Sequence, residues 1–440
     1  MNDRQRSFLA FPRICPQPYN ALVSFVALLR ASVPGKAASE SPAGPPAVSR
    51  LCDELDGIAK WVTDIPPLDQ PMRFGNQAFR TWHKRLIGEA AAVVSRVCGP
   101  DALPGCAPAA PSADGEADEW AVAVARWQAA SAALGPVAAE AACEAQPWQR
   151  AEAAEYLWDA FGNASRVDYG TGHETTFVLF LLALDRAGAV DAADRPTAEA
   201  LVLRAMPRYL AVCRRLQQLY QLEPAGSHGV WSLDDFHLLS FALGSAQMRG
   251  AGSAKAAWQL EAGGSLDGFR PGGRAVAPRV CLDDAARGAL RQDWLLAEAV
   301  AGVCECKSGA PFSEHSPRLH DVLRMTSWGA AESSLFGTWQ SEVPGKRPVA
   351  QGLLFSARRD GLWPVRWEAS GEATDRRREE GEARVAAMGV AGAAAGPDVA
   401  TRAPWASGGS GAAAGPDVAT RAPWASGESS SGGAPRGSQR

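Results

Sequence analysis

The chain predicts an all-α fold, and three observations lead there. Apolar residues recur at steps of three and four along several segments, the run FVLFLLAL at 177–184 is hydrophobic on every side, and alternation over strand length is scarce. In order, residues 19–32 carry an apolar helical pattern, and 37–48, rich in Ala, Ser, Pro and Gly, reads as a loop. Leu51, Leu55, Ile58, Trp61 and Val62 then share one face of a helix that Pro66 and Pro67 end. Residues 99–115 (GPDALPGCAPAAPSADG) read as an inserted flexible loop.

The FVLFLLAL run predicts a helix buried all round. Residues 201–220 predict an amphipathic helix, with Met206, Tyr209, Leu210, Cys213, Leu216 and Tyr220 on its stripe, Arg204, Arg208, Arg214 and Arg215 mostly off it, and a bend at Pro207. A Gly- and Ala-rich passage at 249–279 reads as a second insertion, and helical periodicity returns at 294–304 and around 319–328. Near the end, residues 392–408 (GAAAGPDVATRAPWASG) return unchanged as 411–427, too few copies for a stacked solenoid. A Pro, Gly, Ala and Ser composition with few apolar anchors cannot offset ordering entropy, so disorder is expected after about residue 380. The expected organisation is an N-terminal segment 1–50, a helical domain 51–357 with insertions near 99–118 and 249–279, and a low-complexity tail 358–440.

A hydrophobic content of 46% suffices for a substantial core, and a net charge of -4 gives no general attraction to nucleic acid. No run of apolar residues is long enough to cross a membrane. Nine cysteines without a CxxC pair argue for reduced thiols in a cytosolic or nuclear protein.

Two segments are denser in Gly, Asp, His and aromatic residues than packing requires: 161–174 (FGNASRVDYGTGHE) and 223–236 (EPAGSHGVWSLDDF). Gly in a helix interior costs roughly 1 kcal/mol against Ala, so Gly170, Gly172, Gly226 and Gly229 read as loop backbone. In the first segment, backbone N–H groups, Arg166 and the Thr171 hydroxyl suit a phosphate chain, although no GxxxxGK[ST] pattern is present; the alternative is a tight turn capped by Asp168. In the second, Asp234 and Asp235 are adjacent carboxylates usable by Mg²⁺, or else charges at a helix start. Ser227 and His228 lack the nucleophile elbow of a hydrolase.

Both segments, together with 61–82 (WVTDIPPLDQPMRFGNQAFRTW), 241–247 (FALGSAQ) and 311–316 (PFSEHS), resemble the signature segments of the phosphotyrosyl phosphatase activators, also called serine/threonine protein phosphatase 2A activators. The resemblance runs from about residue 51 to 355. It implies an all-helical fold with a cleft between helical subdomains, ATP and Mg²⁺ as cofactors, the phosphatase 2A catalytic subunit as partner, and peptidyl-prolyl cis-trans isomerase activity on a Pro-containing segment. It further implies that Arg166, Thr171 and Gly172 bind ATP, and that the carbonyl of Gly229 and the carboxylate of Asp235 hold the metal ion. A third nucleotide segment corresponds to 348–355 (PVAQGLLF), where Gln351 agrees with the family pattern while Gly352 and Leu354 stand in place of His and Lys. Losing one charge-assisted phosphate contact costs ~1.5–3 kcal/mol, so a second expectation is a phosphatase-binding protein without productive ATP use.

Prolyl isomerisation needs no nucleophile, because its barrier of about 18–20 kcal/mol comes from amide resonance and falls when the bond is twisted or desolvated. Trp231 is the candidate apolar wall, unless it belongs to the core, with Asp168, Tyr169 and Asp234 as steering polar groups. Everything requires the turns that begin at Arg166 and Glu223 to meet.

Overall fold

The computed structural model describes residues 16–70, 75–99, 118–135, 147–225, 233–234, 236–249, 277–307, 309–350 and 353, all within one compact unit, Met1–Val365. Those residues are helical almost throughout. The insertions expected at 99–118 and 249–279 and the tail lie essentially outside them.

Helix α1 (Pro16–Ser32) packs on α4 (Glu119–Ala133), with Phe25 edge-on to Trp127 at 5.0 Å. Its residues Ala21, Leu22, Phe25, Val26 and Leu28 are fully buried. The packed core thus begins well before the residue-51 boundary expected from the pattern. Helix α2 (Pro46–Asp64) starts inside the stretch read as loop, because Pro45 and Pro46 leave no lost N–H bond at a helix start. It packs on α3 (Ala78–Cys98), which Gly99 ends at φ 63° by donating its N–H to Ser95. Helix α5 (Pro147–Asp159) fits between α3 and α6 (Thr171–Arg186). From Glu174 to Leu184 every α6 residue is buried, as the all-round apolar run predicts.

The expected 201–220 helix differs in one detail. Helix α7 (Arg195–Ala200) continues through a π turn (Leu201–Ala205) into α8 (Met206–Tyr220), and Met206 donates its N–H five residues back to Leu201. Pro207 has no N–H to give Leu203, so the wider turn sits just ahead of it in place of a mid-helix bend.

Helix α9 (Leu239–Met248) is buried along its whole length between α11 (Leu295–Cys306) and α14 (Trp328–Glu342). Between these lie α10 (Asp284–Leu290), α12 (Phe312–His315) and α13 (Pro317–Leu323); α15 (Arg347–Ala350) closes the series. The 319–328 periodicity splits at a turn because Ser327 opens α14 as N-cap, accepting from Ala330 N–H. Among the described residues the one β ladder is a parallel pair, β1 (Asp168–Tyr169) with β2 (Glu223–Pro224).

Candidate functional site

That short ladder joins the two signature segments. Asp168 is in register with Glu223 and Tyr169 with Pro224; Glu223 N–H donates to Val167 O at 3.0 Å, and Ala225 N–H to Tyr169 O at 2.7 Å. Gly170 permits the approach, since a Cβ there would stand 2.8 Å from the Ala225 backbone.

The turn leading into β1 is organised by Asn163, not by Asp168. Asn163 Oδ1 accepts the N–H groups of Ser165 and Arg166, both at 3.0 Å, and its carbonyl accepts Val167 N–H at 2.7 Å. The chain then passes through Val167 at φ 57°, a left-handed conformation that a β-branched residue adopts only under constraint. Val167 is nonetheless buried.

Freed from capping, the buried Asp168 carboxylate binds Arg166 Nε through Oδ2 at 2.5 Å, while its Oδ1 has no hydrogen-bond donor. His173 Nε2 stands 4.0 Å from that orphaned oxygen, and His173 Nδ1 lies 2.6 Å from the Asp159 carbonyl. A carbonyl only accepts, so Nδ1 carries the proton. In the neutral ring Nε2 and Oδ1 are therefore two acceptors facing each other. Partial burial and then the Asp168 charge push the Glu223 carboxyl up.

Residues 170–174 turn from β1 into α6. Thr171 and Gly172 occupy its first turn, with the free N–H groups of a helix start, and their carbonyls accept the hydroxyls of Thr175 at 2.9 Å and Thr176 at 3.0 Å. Val349 of α15 packs against Gly172, where a Cβ would stand 3.3 Å from its methyl. The 348–355 segment thus reaches the same helix start.

Glu174, for which the sequence suggests no role, ties the end of the first segment to the residues that directly follow the second. Its buried carboxylate accepts the N–H groups of Leu238 and Leu239 at 2.7 Å and of Ser240 at 2.9 Å, at the start of α9, and lies 3.4 Å from His237 Nδ1. Burial alone would raise its pKa; the His237 ring and these N–H groups outweigh that and hold it low. His237 Nε2 lies 3.0 Å from the Gln217 amide nitrogen on α8. Tyr169 and Tyr209 share a 2.7 Å hydroxyl bond beside them, and burial keeps both phenols far above their ordinary pKa. A helix-starting Leu-Leu-Ser with a Glu sixty-odd residues earlier carries no local signal that these groups meet.

Asp234 faces inward. Its side chain is almost wholly buried and bound by Arg214 at 3.0 Å, and the guanidinium fits only because residue 302 is Gly, where a Cβ would stand 2.6 Å from Arg214 Nε. Burial would raise the Asp234 pKa, but Arg214 overrides it and holds the carboxyl below its usual range. This carboxylate anchors the 223–236 segment to α8 and is committed to Arg214, which does not fit the steering role expected of it. Trp231, Gly229, Asp235, Gln351, Gly352 and Leu354 lie outside the described residues. Among the described residues no three His, Cys, Asp or Glu side chains converge as a metal site.

A helical domain whose two glycine-bearing segments meet at the start of a buried helix defines the class, and the family follows from comparison. The family described as phosphotyrosyl phosphate activator (PTPA) protein matches residues 14–359, and the chain belongs to it. A probable serine/threonine-protein phosphatase 2A activator 2 from Dictyostelium discoideum is 27% identical over 340 residues, 77% of this chain and 60% of that protein. Serine/threonine-protein phosphatase 2A activator 1 of Schizosaccharomyces pombe is 30% identical over 308 residues, 70% of this chain and 74% of its own length. The crystal structure of the PP2A phosphatase activator Ypa1 PTPA1 is similar at a TM-score of 0.51 and 27% identity, covering 77% of this chain and 85% of that one. The chain spans about three-fifths of the Dictyostelium relative, 60% of its length.

Proposed function

We propose that this chain activates the protein phosphatase 2A catalytic subunit with ATP and Mg²⁺, and that it isomerises a prolyl bond in a Pro-containing segment. The observation that carries the reading is the β1–β2 ladder, which sets the Arg166–Asp168 turn beside the 223–225 backbone. The names of the relatives support the partner.

The described residues fit a phosphate chain. Arg166 is mostly exposed, the Thr171 hydroxyl and the N–H groups of Thr171 and Gly172 sit at the start of a sixteen-residue helix, and Arg166 can exchange its Asp168 partner for an anion. Arg166, Thr171 and Gly172 would hold the nucleotide; Mg²⁺ would neutralise its phosphates, and the choice of Gly229 and Asp235 for the metal rests on the resemblance. For the prolyl bond, Asp168 Oδ1 is a buried acceptor seeking a donor, suited to hold a peptide N–H while an apolar wall desolvates the imide. The same proposal places the protein in the cytosol or nucleus, supported by free thiols at Cys52, Cys98, Cys213, Cys281, Cys304 and Cys306. Among the described residues no helix is long and apolar enough to cross a membrane.

The test is reactivation of purified phosphatase 2A catalytic subunit by the full chain, with and without Mg-ATP. Nucleotide-dependent recovery of phosphatase activity is expected; no recovery with a folded chain overturns the reading. Gly352 and Leu354 favour a second reading, a binding protein that does not use ATP. It requires phosphatase affinity unchanged by Mg-ATP in a calorimetric titration.

A further inference from the structure

Residues 61–82 form the third long signature segment, and nothing in the proposed function uses them. The structure gives two of them a direct hold on the Arg166–Asp168 turn. Arg80 on α3 donates from Nε to the carbonyl of Ala164 and from a terminal nitrogen to that of Ser165, both at 3.0 Å. Gly75 lies so close to the strained residue that a Cβ there would stand 2.7 Å from Val167 Cγ1 and 2.8 Å from Gln221 O. Among the described residues Gln221 is the other non-glycine residue at positive φ, 48°, and it directly precedes the approach to β2.

A β-branched residue at φ 57° persists only where its surroundings over-determine it. Asn163 holds the N–H side of this turn, Glu223 N–H holds the Val167 carbonyl, and Arg80 takes the two carbonyls that precede Arg166. Arg80 is itself exposed and contributes little to the core. Its fork geometry matches a pair of successive carbonyls, which is a placement task more than a packing one.

We propose that Arg80 is a positioning residue: it fixes the 163–168 turn so that the Arg166 guanidinium stands ready for the nucleotide phosphates while Asp168 keeps its free oxygen. The inference rests on the ATP reading for its functional half. Its structural half stands apart, and the test separates the two.

Calorimetric titration of Mg-ATP into the full chain is compared for wild type, Arg80→Ala, Arg166→Ala and the double variant. Arg80→Ala is expected to weaken binding about tenfold, the loss of two charge-assisted bonds net of hydration. In the Arg166→Ala background the same change should add no more than about twofold, because a residue acting through Arg166 has nothing left to act on. Arg80→Lys, which can still donate to the carbonyls, should recover part of the loss. Equal affinity of Arg80→Ala and wild type, or a full second penalty in the double variant, overturns the proposal. Amide hydrogen exchange without nucleotide supplies the second arm. The Val167 amide should exchange about tenfold faster in Arg80→Ala, while the α6 interior stays protected. If wild type binds no Mg-ATP, the nucleotide reading falls and exchange alone decides; unchanged exchange at Val167 then overturns the positioning role as well.

Discussion

Glu174 joins the end of the first signature segment to the start of α9. Three N–H groups at the start of α9 and the His237 ring converge on one carboxylate with no solvent contact. Replacing it by Gln sets an NH₂ group among donors, leaving at least one buried N–H unpaired and His237 without its partner. Losing one side of such a buried array costs about 3 kcal/mol, a large part of a total stability of roughly 5–15 kcal/mol. Glu174→Gln is therefore expected to lower the urea midpoint sharply at pH 7. The pH response follows from the folded pKa lying below the ordinary 4.5. A depressed carboxyl stabilises the fold above the unfolded pKa, and that contribution is lost as pH falls through the folded value. Wild type should lose stability below about pH 4.5, whereas Glu174→Gln, already without this contribution, should show a shallower acid slope. Parallel slopes in urea melts at pH 7, 5 and 3.5 would show that Glu174 is not the titrating group.

Helix α9 meets α11 backbone to backbone. Gly244 meets the α11 backbone where a Cβ would stand 2.4 Å from Leu296 N and 2.7 Å from its Cα. Backbone on the far side cannot swing aside as a side chain can, so Gly244→Ala must separate the helices. Overpacking of this kind costs typically about 1–3 kcal/mol, against a gain of roughly 1 kcal/mol in helix propensity from Gly to Ala. The net expectation is destabilisation, read as a lower Tm; a raised Tm would mean that propensity wins and the helices are free to part. Helix existence followed from spacing: the FVLFLLAL run forms α6 and the 294–304 pattern forms α11. The helix cost of glycine rightly set Gly170 ahead of α6, whereas Gly172, also read as loop backbone, lies in the first turn of the helix, where the close approach of Val349 rather than a loop favours a glycine. Local periodicity could not show that Gly244, inside a helix, marks a crossing, or that Glu174 reaches α9, because those pairs are set by packing between distant segments. Arg80 was hidden for the same reason: its acceptors are carbonyls some eighty residues on.

At the level of the domain, the interior is continuous from α1 to α14. Arg30 at the end of α1 donates to Glu332 of α14 at 2.9 and 2.5 Å, and Arg249, just past α9, reaches the other oxygen of Glu332 at 3.0 Å and Glu119 of α4 at 2.6 Å. Arg30 also lies over the Phe336 ring at 3.8 Å. An N-terminal helix of modest amphipathicity, separated from the signature segments by a Pro- and Gly-rich stretch, gives no sign in sequence of being central. Its burial says otherwise. Leu22, Phe25, Val26, Leu28 and Leu29 are each at most 1% exposed, and fully burying one such side chain is worth roughly 1.5–3 kcal/mol. Five of them approach or exceed the net stability of an ordinary domain, even before the faces of Trp127 and α9 that α1 covers are counted. A chain beginning at Leu51 should therefore fail to fold cooperatively although it keeps every signature segment, and should bind neither nucleotide nor phosphatase. Circular dichroism melts and near-ultraviolet tryptophan signals measure this directly. A sharp, wild-type-like transition in that shortened chain would show that α1 only covers a core that is complete without it.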